Sequence, residues 1–394
     1  MKILVLAPHP FFQARGTPLA VRTVLEFLSA RGHAVDLLTL HEGEDVAIPN
    51  CRIYRIPRLP GIRDVRPGFS LKKVICDVAM CFLCLRMVLR TRYDLIHAVE
   101  ESAFIAAVAR AVTGVPYIYD MDSSLAEQMV ERYPRLHVAL PMMRYCESVA
   151  VRRSLGVLTV CAALEDVALG HDPGKQVGRV EDSTLLPPAG PGSGNGNGLL
   201  PEALLRQGPV ALYVGNLERY QGIDLLLDGF RHTLRRVPSA NLVIVGGRED
   251  DIRRYRGMAD GLGILAHVHF LGPRPVSLLP ELLRQADVLV SPRLKGLNTP
   301  MKIYSYLDSG TAVLATRLRT HTQVLDDRTA YLVDPEPEPL GAGLAELLSD
   351  GALRERLAGY AKQYVQEEFT PEAARRKLAR FYDAMEAKAA GAKA

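Results

Sequence analysis

The feature that most constrains this chain is an alternation that runs twice. Short apolar runs of strand length are separated by stretches with helical spacing, first over residues 3–186 and again from residue 210. In the first series the strand candidates are Ile3–Ala7, Val35–Leu40, Arg52–Ile56, Asp94–Ala98, Pro116–Tyr119, Val157–Val160 and Thr184–Leu186. Helix candidates lie between them: Pro18–Ser29, Leu71–Leu89, Ala103–Val112 and Met142–Ser154. Leu19, Val21, Val24, Leu25 and Leu28 would share one side of the first of these. The second series has Val210–Val214, Leu242–Val245, His267–Leu271, Val288–Val290, Ala312–Ala315 and Tyr331–Val333, and is mostly helical from Pro339. Strand and helix in strict alternation predict parallel strands covered by helices on both faces.

Between the two series stands "PPAGPGSGNGNG", Pro187–Gly198, whose composition cannot hold a core and reads as a linker or mobile loop. A chain of 394 residues also exceeds one ordinary core. The expected architecture is α/β: two doubly wound Rossmann-like domains in tandem, 1–186 and 209–370, joined by 187–208 and followed by a helical segment, 371–394.

Bulk properties exclude several classes. With 48% hydrophobic and 23% charged residues the chain suits a soluble globular protein, and a net charge of +4 is too mild for a nucleic-acid binder. The six cysteines show no extracellular disulfide pattern. Cys81 and Cys84 form a C-x-x-C inside an apolar helical run, with no second pair to complete a zinc site, so packing is expected of them. The opening "MKILVLAPHP" is too short in its apolar part for a signal peptide, and Arg86 interrupts the densest apolar run, Val78–Leu85, well short of a membrane span. A cytoplasmic location follows as the expectation.

In open α/β sheets ligands bind beyond the carboxyl ends of the strands. That rule selects the loops 8–17, 98–102, 120–124, 215–222, 246–248, 272–274 and 291–300. At these loops the chain resembles the retaining glycosyltransferases of glycosyltransferase family 4, which have the GT-B fold. "APHPFFQARGTPLAVRTVLEFLSARGHAVDLLT" is similar to the family's first strand, glycine loop and helix. "YVGNLERYQGIDLLLDGF" resembles its phosphate loop, "HFLG" the strand beside the nucleotide base, and "ADVLVSPR" with "NTPMKIYSYLDSGTAVLATR" the donor-sugar and ribose region. The order and spacing of these motifs cover nearly the whole chain.

The resemblance implies transfer of a sugar from a nucleotide-diphosphate sugar to an acceptor, without a metal or other cofactor. The donor falls to the C-terminal domain and the acceptor to the N-terminal one, across a shared cleft, with the last helix, Pro371–Lys388, crossing back onto the N-terminal domain. It implies donor contacts from Gly16, Thr17, Gly215, Asn216, Arg219, Gln221, Gly222, Gly246, Arg248, Leu271, Gly272, Asn298, Thr299 and Ser305. Acceptor contacts are expected from His9, Glu100 and Glu101, although solvated loop carboxylates explain the last two equally. His97, inside a strand, reads as a core histidine.

Four familiar positions are altered. The family's phosphate loop commonly carries an arginine and a lysine where Asn216 and Gln221 stand. Its ribose glutamate is replaced by Ser305, and its N-terminal histidine aligns with Asp122, which either serves the sugar and the acceptor proton or caps the helix near Ser124. A leaving diphosphate needs positive charge. Arg219, Arg293 and Lys302 are the replacements on offer, with Arg293 and Lys302 in the donor-facing segment; alternatively all three are solvated surface residues. Asp122, Arg293 and Lys302 are thus the catalytic candidates. The competing readings are a catalytically silent relative that binds a nucleotide sugar or supports a partner enzyme, and a nucleotide-sugar epimerase. A dehydrogenase is disfavoured because no G-x-G-x-x-G follows the first strand. Finally, residues 63–92 mix Arg63, Arg66, Lys72, Lys73, Arg86, Arg90 and Arg92 with apolar side chains. That mixture suits contact with the inner face of an anionic membrane, or a covering helix with a soluble outer edge. Many members of the family glycosylate lipid-linked acceptors, which would fit the first.

Overall fold

The computed structural model describes residues 1–13, 16–63, 65, 70–132, 138–187 and 199–391. The chain divides into two compact units, Met1–Glu181 with Ala374–Ala394, and Asp182–Ala373.

The first unit is built on seven parallel strands: β1 Lys2–Ala7, β2 Ala34–Thr39, β3 Cys51–Arg55, β4 Leu95–Val99, β5 Tyr117–Met121, β6 Gly156–Thr159 and β7 Val177–Arg179. Their order across the sheet is β3-β2-β1-β4-β5-β6-β7. Strands β4 and β5 are buried along their whole length, which is why, apart from His97 and Asp120, they read as apolar runs rather than as alternation. Among the described residues, these helices connect the strands: α1 Gly16–Ala30, α2 Leu71–Arg90, α3 Ser102–Thr113, α4 Leu125–Arg132, α5 Leu140–Arg153 and α6 Ala162–His171.

The second unit carries six parallel strands: β8 Val210–Val214, β9 Asn241–Val245, β10 Val268–Gly272, β11 Val288–Ser291, β12 Ala312–Thr316 and β13 Tyr331–Val333, in the order β10-β9-β8-β11-β12-β13. Its helices are α7 Glu202–Gln207, α8 Ile223–Arg236, α9 Glu249–Gly261, α10 Leu279–Arg284, α11 Lys302–Asp308, α12 Arg319–Thr322, α13 Pro337–Ser349 and α14 Gly351–Glu368. Each face of this sheet has its own core. One gathers Leu226, Phe230, Ile244 and Leu344. The other gathers Leu212, Val243, Tyr304 and Leu332. In both units the strand order reverses beside the first strand, between β1 and β4 and between β8 and β11. The loops leaving those strands are where such sheets bind ligands.

The last helix, α15 Pro371–Gly391, begins at the end of the second unit, and from Ala374 its residues belong to the first. Leu378, Phe381, Tyr382 and Met385 lie in the first unit's core with Phe27 and Leu28.

Three expectations need correction. Thr184–Leu186 is not a strand. The Thr184 N–H donates to the Phe369 carbonyl and the Leu185 N–H to Ser305 Oγ, so no ladder forms, and the last strand of the first sheet is β7 instead. The unit boundary accordingly falls at Glu181, not 186. Of the expected linker, 188–198 lies outside the described residues, while the remainder is not a spacer: Leu200 and Leu204 are buried in the second unit's core.

Candidate functional site

The loops leaving β8, β9 and β11 press against one another at two glycines. Gly222 has φ +75°, and a Cβ there would lie 1.9 Å from the Pro292 carbonyl oxygen. Gly246, at φ +111°, would place a Cβ 2.1 Å from the Gly215 oxygen. Only glycine allows that approach. The result brings Gly215–Gly222 beside the segment after β11, and the Leu294 N–H donates to the Tyr220 carbonyl across them at 2.9 Å.

Lys302 opens α11 and points back into this junction. Its Nζ stands 3.4 Å from Gln221 Oε1 and 3.8 Å from the centroid of the Tyr213 ring. Burial, and then the Arg293 guanidinium, hold its ammonium well below the ordinary lysine range. Arg293 donates through Nε to the Lys295 carbonyl at 2.6 Å, and its guanidinium carbon lies 5.1 Å from the Tyr220 ring centroid. Tyr213 Oη donates to the Asn216 carbonyl at 2.6 Å, which fixes the turn after β8.

A buried line of hydrogen bonds sets the segment that carries Arg293. Thr316 Oγ1 donates to the Arg293 carbonyl at 2.6 Å. His321, fully buried, donates from Nδ1 to the Thr316 carbonyl at 2.9 Å, so its Nε2 accepts from Ser291 Oγ at 2.9 Å. Burial drops this imidazole to about 3, and it stays neutral. Thr299 is buried and its Oγ1 has no hydrogen-bond partner among the described residues. Asn298 gives its carbonyl to Thr320 Oγ1 at 2.6 Å. Asn216 and Arg219 are exposed at the loop surface, Arg248 is exposed and pairs with Asp251 at 3.4 Å, and Leu271 and Gly272 are half-buried, the Gly272 carbonyl accepting the Gly246 N–H.

Ser305 is fully buried, and its Oγ accepts the Leu185 N–H at 3.0 Å.

In the first unit the expected residues lie around the ends of β1, β4 and β5. His9 is buried, with its carbonyl accepting from Thr39 Oγ1 at 2.6 Å, and Gly16 and Thr17 open α1. Asp122 is buried, but the helix cap belongs to Ser124: Ser124 Oγ accepts the Glu127 N–H at 3.4 Å and donates to Glu147 at 2.9 Å. Glu100 has φ +50°, and Ser123 Oγ donates to it at 3.4 Å. Burial and then the Glu101 carboxylate push Glu100 well above the ordinary carboxylate range. Glu101 is not a free solvated carboxylate; it pairs with buried Lys73, which also holds Asp77 at 2.7 Å. Burial opposes the Lys73 charge, yet these two carboxylates outweigh it and raise its pKa.

His97 is a core residue, as its strand position suggests, but it is also the centre of a line the sequence does not announce. Tyr382 Oη donates to His97 Nδ1 at 2.7 Å, and His97 Nε2 donates to Asp120 Oδ2 at 2.9 Å, with all three buried.

On α2, Lys73, Cys76, Met80, Cys84 and Val88 face inward. The opposite side leaves Leu71 at 77%, Phe82 at 72% and Leu89 at 65% exposure, beside exposed Lys72, Arg86 and Arg90. Arg66 lies outside the described residues.

Residues 15–177 match the glycosyl transferase 4-like domain, and residues 202–364 match the glycosyl transferases group 1 domain. The chain belongs to glycosyltransferase family 4. It is 24% identical over 375 residues to the phosphatidyl-myo-inositol mannosyltransferase of Mycolicibacterium smegmatis, covering 91% of this chain and 87% of that one. The protein of that name from Mycobacterium tuberculosis is 34% identical over 158 residues, but the match spans only 38% of this chain and 41% of the relative. The structure of sucrose-phosphate synthase from Thermosynechococcus elongatus superposes with a TM-score of 0.77 at 20% identity, over 98% of this chain and 99% of that one, which shows the GT-B fold.

Within this family frame, the residues missed by sequence reasoning are Tyr213, His321 and Tyr382. None stands in a recognisable motif as a ligand-facing group. Each acts through a partner distant in the chain: Lys302, Ser291 and His97. Only the histidine in "RTHTQV", one strand after "SPR", offered a signal. Among the described residues no three His, Cys, Asp or Glu side chains cluster to hold a metal ion, and no helix is long and apolar enough to cross a membrane.

Proposed function

We propose that this chain transfers a sugar, with retention and without a divalent metal, from a nucleotide-diphosphate sugar held by the second unit to a hydroxyl of an acceptor held by the first. Lys302 and Arg293 take over the diphosphate charge vacated at Asn216 and Gln221. The single observation that carries this reading is the position of Lys302 Nζ, 3.4 Å from the side-chain oxygen of Gln221, the residue at the family's lysine position. The cation is supplied from α11 instead of from the phosphate loop, so the charge arrives at the same place by another route. Charge stabilisation of a leaving group is usually the largest catalytic contribution, and a group at a water-poor site does this best.

Asp122 and Glu100, at the ends of β5 and β4, are the proposed contacts to the acceptor and the reacting hydroxyl, with His9 and Glu101 beside them. The acceptor is proposed to be lipid-linked. The whole-length similarity to a phosphatidyl-myo-inositol mannosyltransferase supports this, and so does the apolar, cation-flanked outer face of α2, which suits the inner surface of an anionic membrane.

The test is nucleoside-diphosphate release from a panel of UDP- and GDP-sugars, with phosphatidylinositol vesicles and with a chelator present throughout. Acceptor-dependent release from one donor is expected. Binding of a nucleotide sugar with no release under any acceptor favours the silent-relative reading, for which the buried hydroxyl of Ser305 and the uncharged Asn216 and Gln221 speak. Conversion of the sugar without acceptor favours an epimerase.

A further inference from the structure

Among the described residues the Lys302 ammonium has no carboxylate partner, and an aromatic face and one neutral oxygen are all that offset its desolvation. Its nearest surroundings are the Tyr213 ring face at 3.8 Å and the neutral Gln221 oxygen at 3.4 Å. A Cβ on Gly215 would lie 3.4 Å from Nζ, so the backbone of the turn closes that side. Among the described residues no Asp or Glu forms an ion pair with it, and the other formal charge that acts on it, Arg293, has the same sign.

A half-buried cation beside another cation and without a carboxylate partner is disfavoured, and the usual relief is loss of the proton. A diphosphate supplies the missing counter-ion. We propose that binding of a diphosphate group in this pocket is coupled to the uptake of one proton by Lys302, so that the ligand itself generates the ammonium that holds it. The proposal rests on the donor-binding reading above and adds to it a defined proton balance: the neutral amine and one proton from solvent become the ammonium, and the diphosphate keeps its own charge.

The other groups facing the pocket do not share the titration. Tyr213 on β8 and Tyr306 on α11 are both raised by burial, away from neutrality. His321 on α12 is held neutral by burial, at about 3. Arg293 stays cationic, and Tyr220, Asn216 and Gln221 complete the loop side, Asn216 Nδ2 donating to Tyr220 Oη at 3.4 Å. Lys302 is therefore the group to which the proposal assigns the proton.

The sign follows by linkage. The free-state pKa of Lys302 is lowered, and the bound anion raises it. Between the two values binding takes up a proton, and affinity falls as pH rises, by about tenfold per pH unit where the uptake is complete. Below the free-state value the lysine is already charged and the dependence disappears.

The experiment is isothermal titration calorimetry of the full chain at pH 8 with UDP-glucose and GDP-mannose, whose esterified diphosphates do not titrate near that pH. Each titration is run in HEPES and in Tris, which differ in ionisation enthalpy. The difference in observed heat gives the protons exchanged. About one proton taken up is expected for the wild type, and none for Lys302→Arg, whose guanidinium is permanently charged. Lys302→Met, which keeps the stem without the charge, is expected to bind about ten- to a hundredfold more weakly with no uptake, since a charge-assisted contact is worth roughly 1.5–3 kcal/mol. Wild-type binding with no proton uptake, or uptake that persists in Lys302→Arg, overturns the proposal and leaves the donor-binding reading intact. Absence of binding by either nucleotide sugar to the wild type removes the donor-binding reading and the proposal with it.

Discussion

At the scale of single residues, the site is organised by what each charge has next to it. Glu100 is the clearest case in the first unit. Burial and Glu101 raise its pKa, so the folded state retains a proton that the unfolded chain has already lost. Folding stability must then decline as pH rises from the ordinary carboxylate value through the folded one, while at low pH, with both states protonated, the penalty vanishes. Glu100→Gln removes that dependence. Thermal melts of the variant and the wild type should coincide near pH 4.5 and separate at pH 8, with the variant more stable by on the order of 1–2 kcal/mol. Equal stability at pH 8 would show that the carboxylate is not under the strain its surroundings imply. Tyr382 is the converse, a buried hydroxyl whose loss leaves the Nδ1 of His97 without its donor. Tyr382→Phe keeps the ring contacts to Phe27 and Phe381, and should still cost on the order of 1–3 kcal/mol by denaturant unfolding.

Elements were legible in the sequence to different degrees, for physical reasons. Strands buried on both faces, such as Leu95–Val99 and Val210–Val214, appear as apolar runs bounded by turn residues, and nearly all were found. Thr184–Leu186 looked the same locally but lost its ladder to two distant partners, Phe369 and Ser305, which no local pattern records. The surroundings of Ser305 were hidden for the same reason: the Leu185 N–H that its hydroxyl accepts is 120 positions away. Gln221 and Lys302, by contrast, were singled out because a familiar motif lacked its charge, though their meeting at 3.4 Å was beyond local reading. Helix α2 is where periodicity reports most. Its inward stripe is satisfied by burial, whereas Leu71, Ile75, Val78, Phe82 and Leu89 form an outward stripe that no packing among the described residues explains. If that stripe meets a membrane, sedimentation with vesicles containing phosphatidylglycerol should carry the protein down, and Phe82→Ser with Leu89→Ser should weaken binding. At about 2 kcal/mol per fully inserted large side chain, a loss of tenfold or more is expected. Recovery of the double variant in the pellet at wild-type levels would assign the stripe another role.

At the scale of the whole molecule, two sheets with the same reversal of strand order place their loops at equivalent ends, and the second sheet uses two glycines to draw three of those loops together. This architecture was evident from the double alternation, because parallel sheets demand it. What it cannot reveal is which cation would face a bound diphosphate, since that depends on side chains from separate loops. No metal enters the proposed chemistry, so turnover in excess chelator should match turnover with added magnesium or manganese. Complete loss with chelator and recovery with either ion would contradict that.

The most direct measurement exchanges the charge between the two routes. Turnover and donor affinity are to be compared for wild type, Lys302→Ala, and Lys302→Ala with Gln221→Lys, which returns the cation to the phosphate loop. The single variant should bind the donor about ten- to a hundredfold more weakly, and should lose more in kcat, because charge grows on the diphosphate as the glycosidic bond breaks. The double variant should recover part of both, since the two side chains lie 3.4 Å apart in the native protein. Unchanged affinity and turnover in Lys302→Ala would contradict the account at its centre, and would make Lys302 a packing residue on the face of Tyr213.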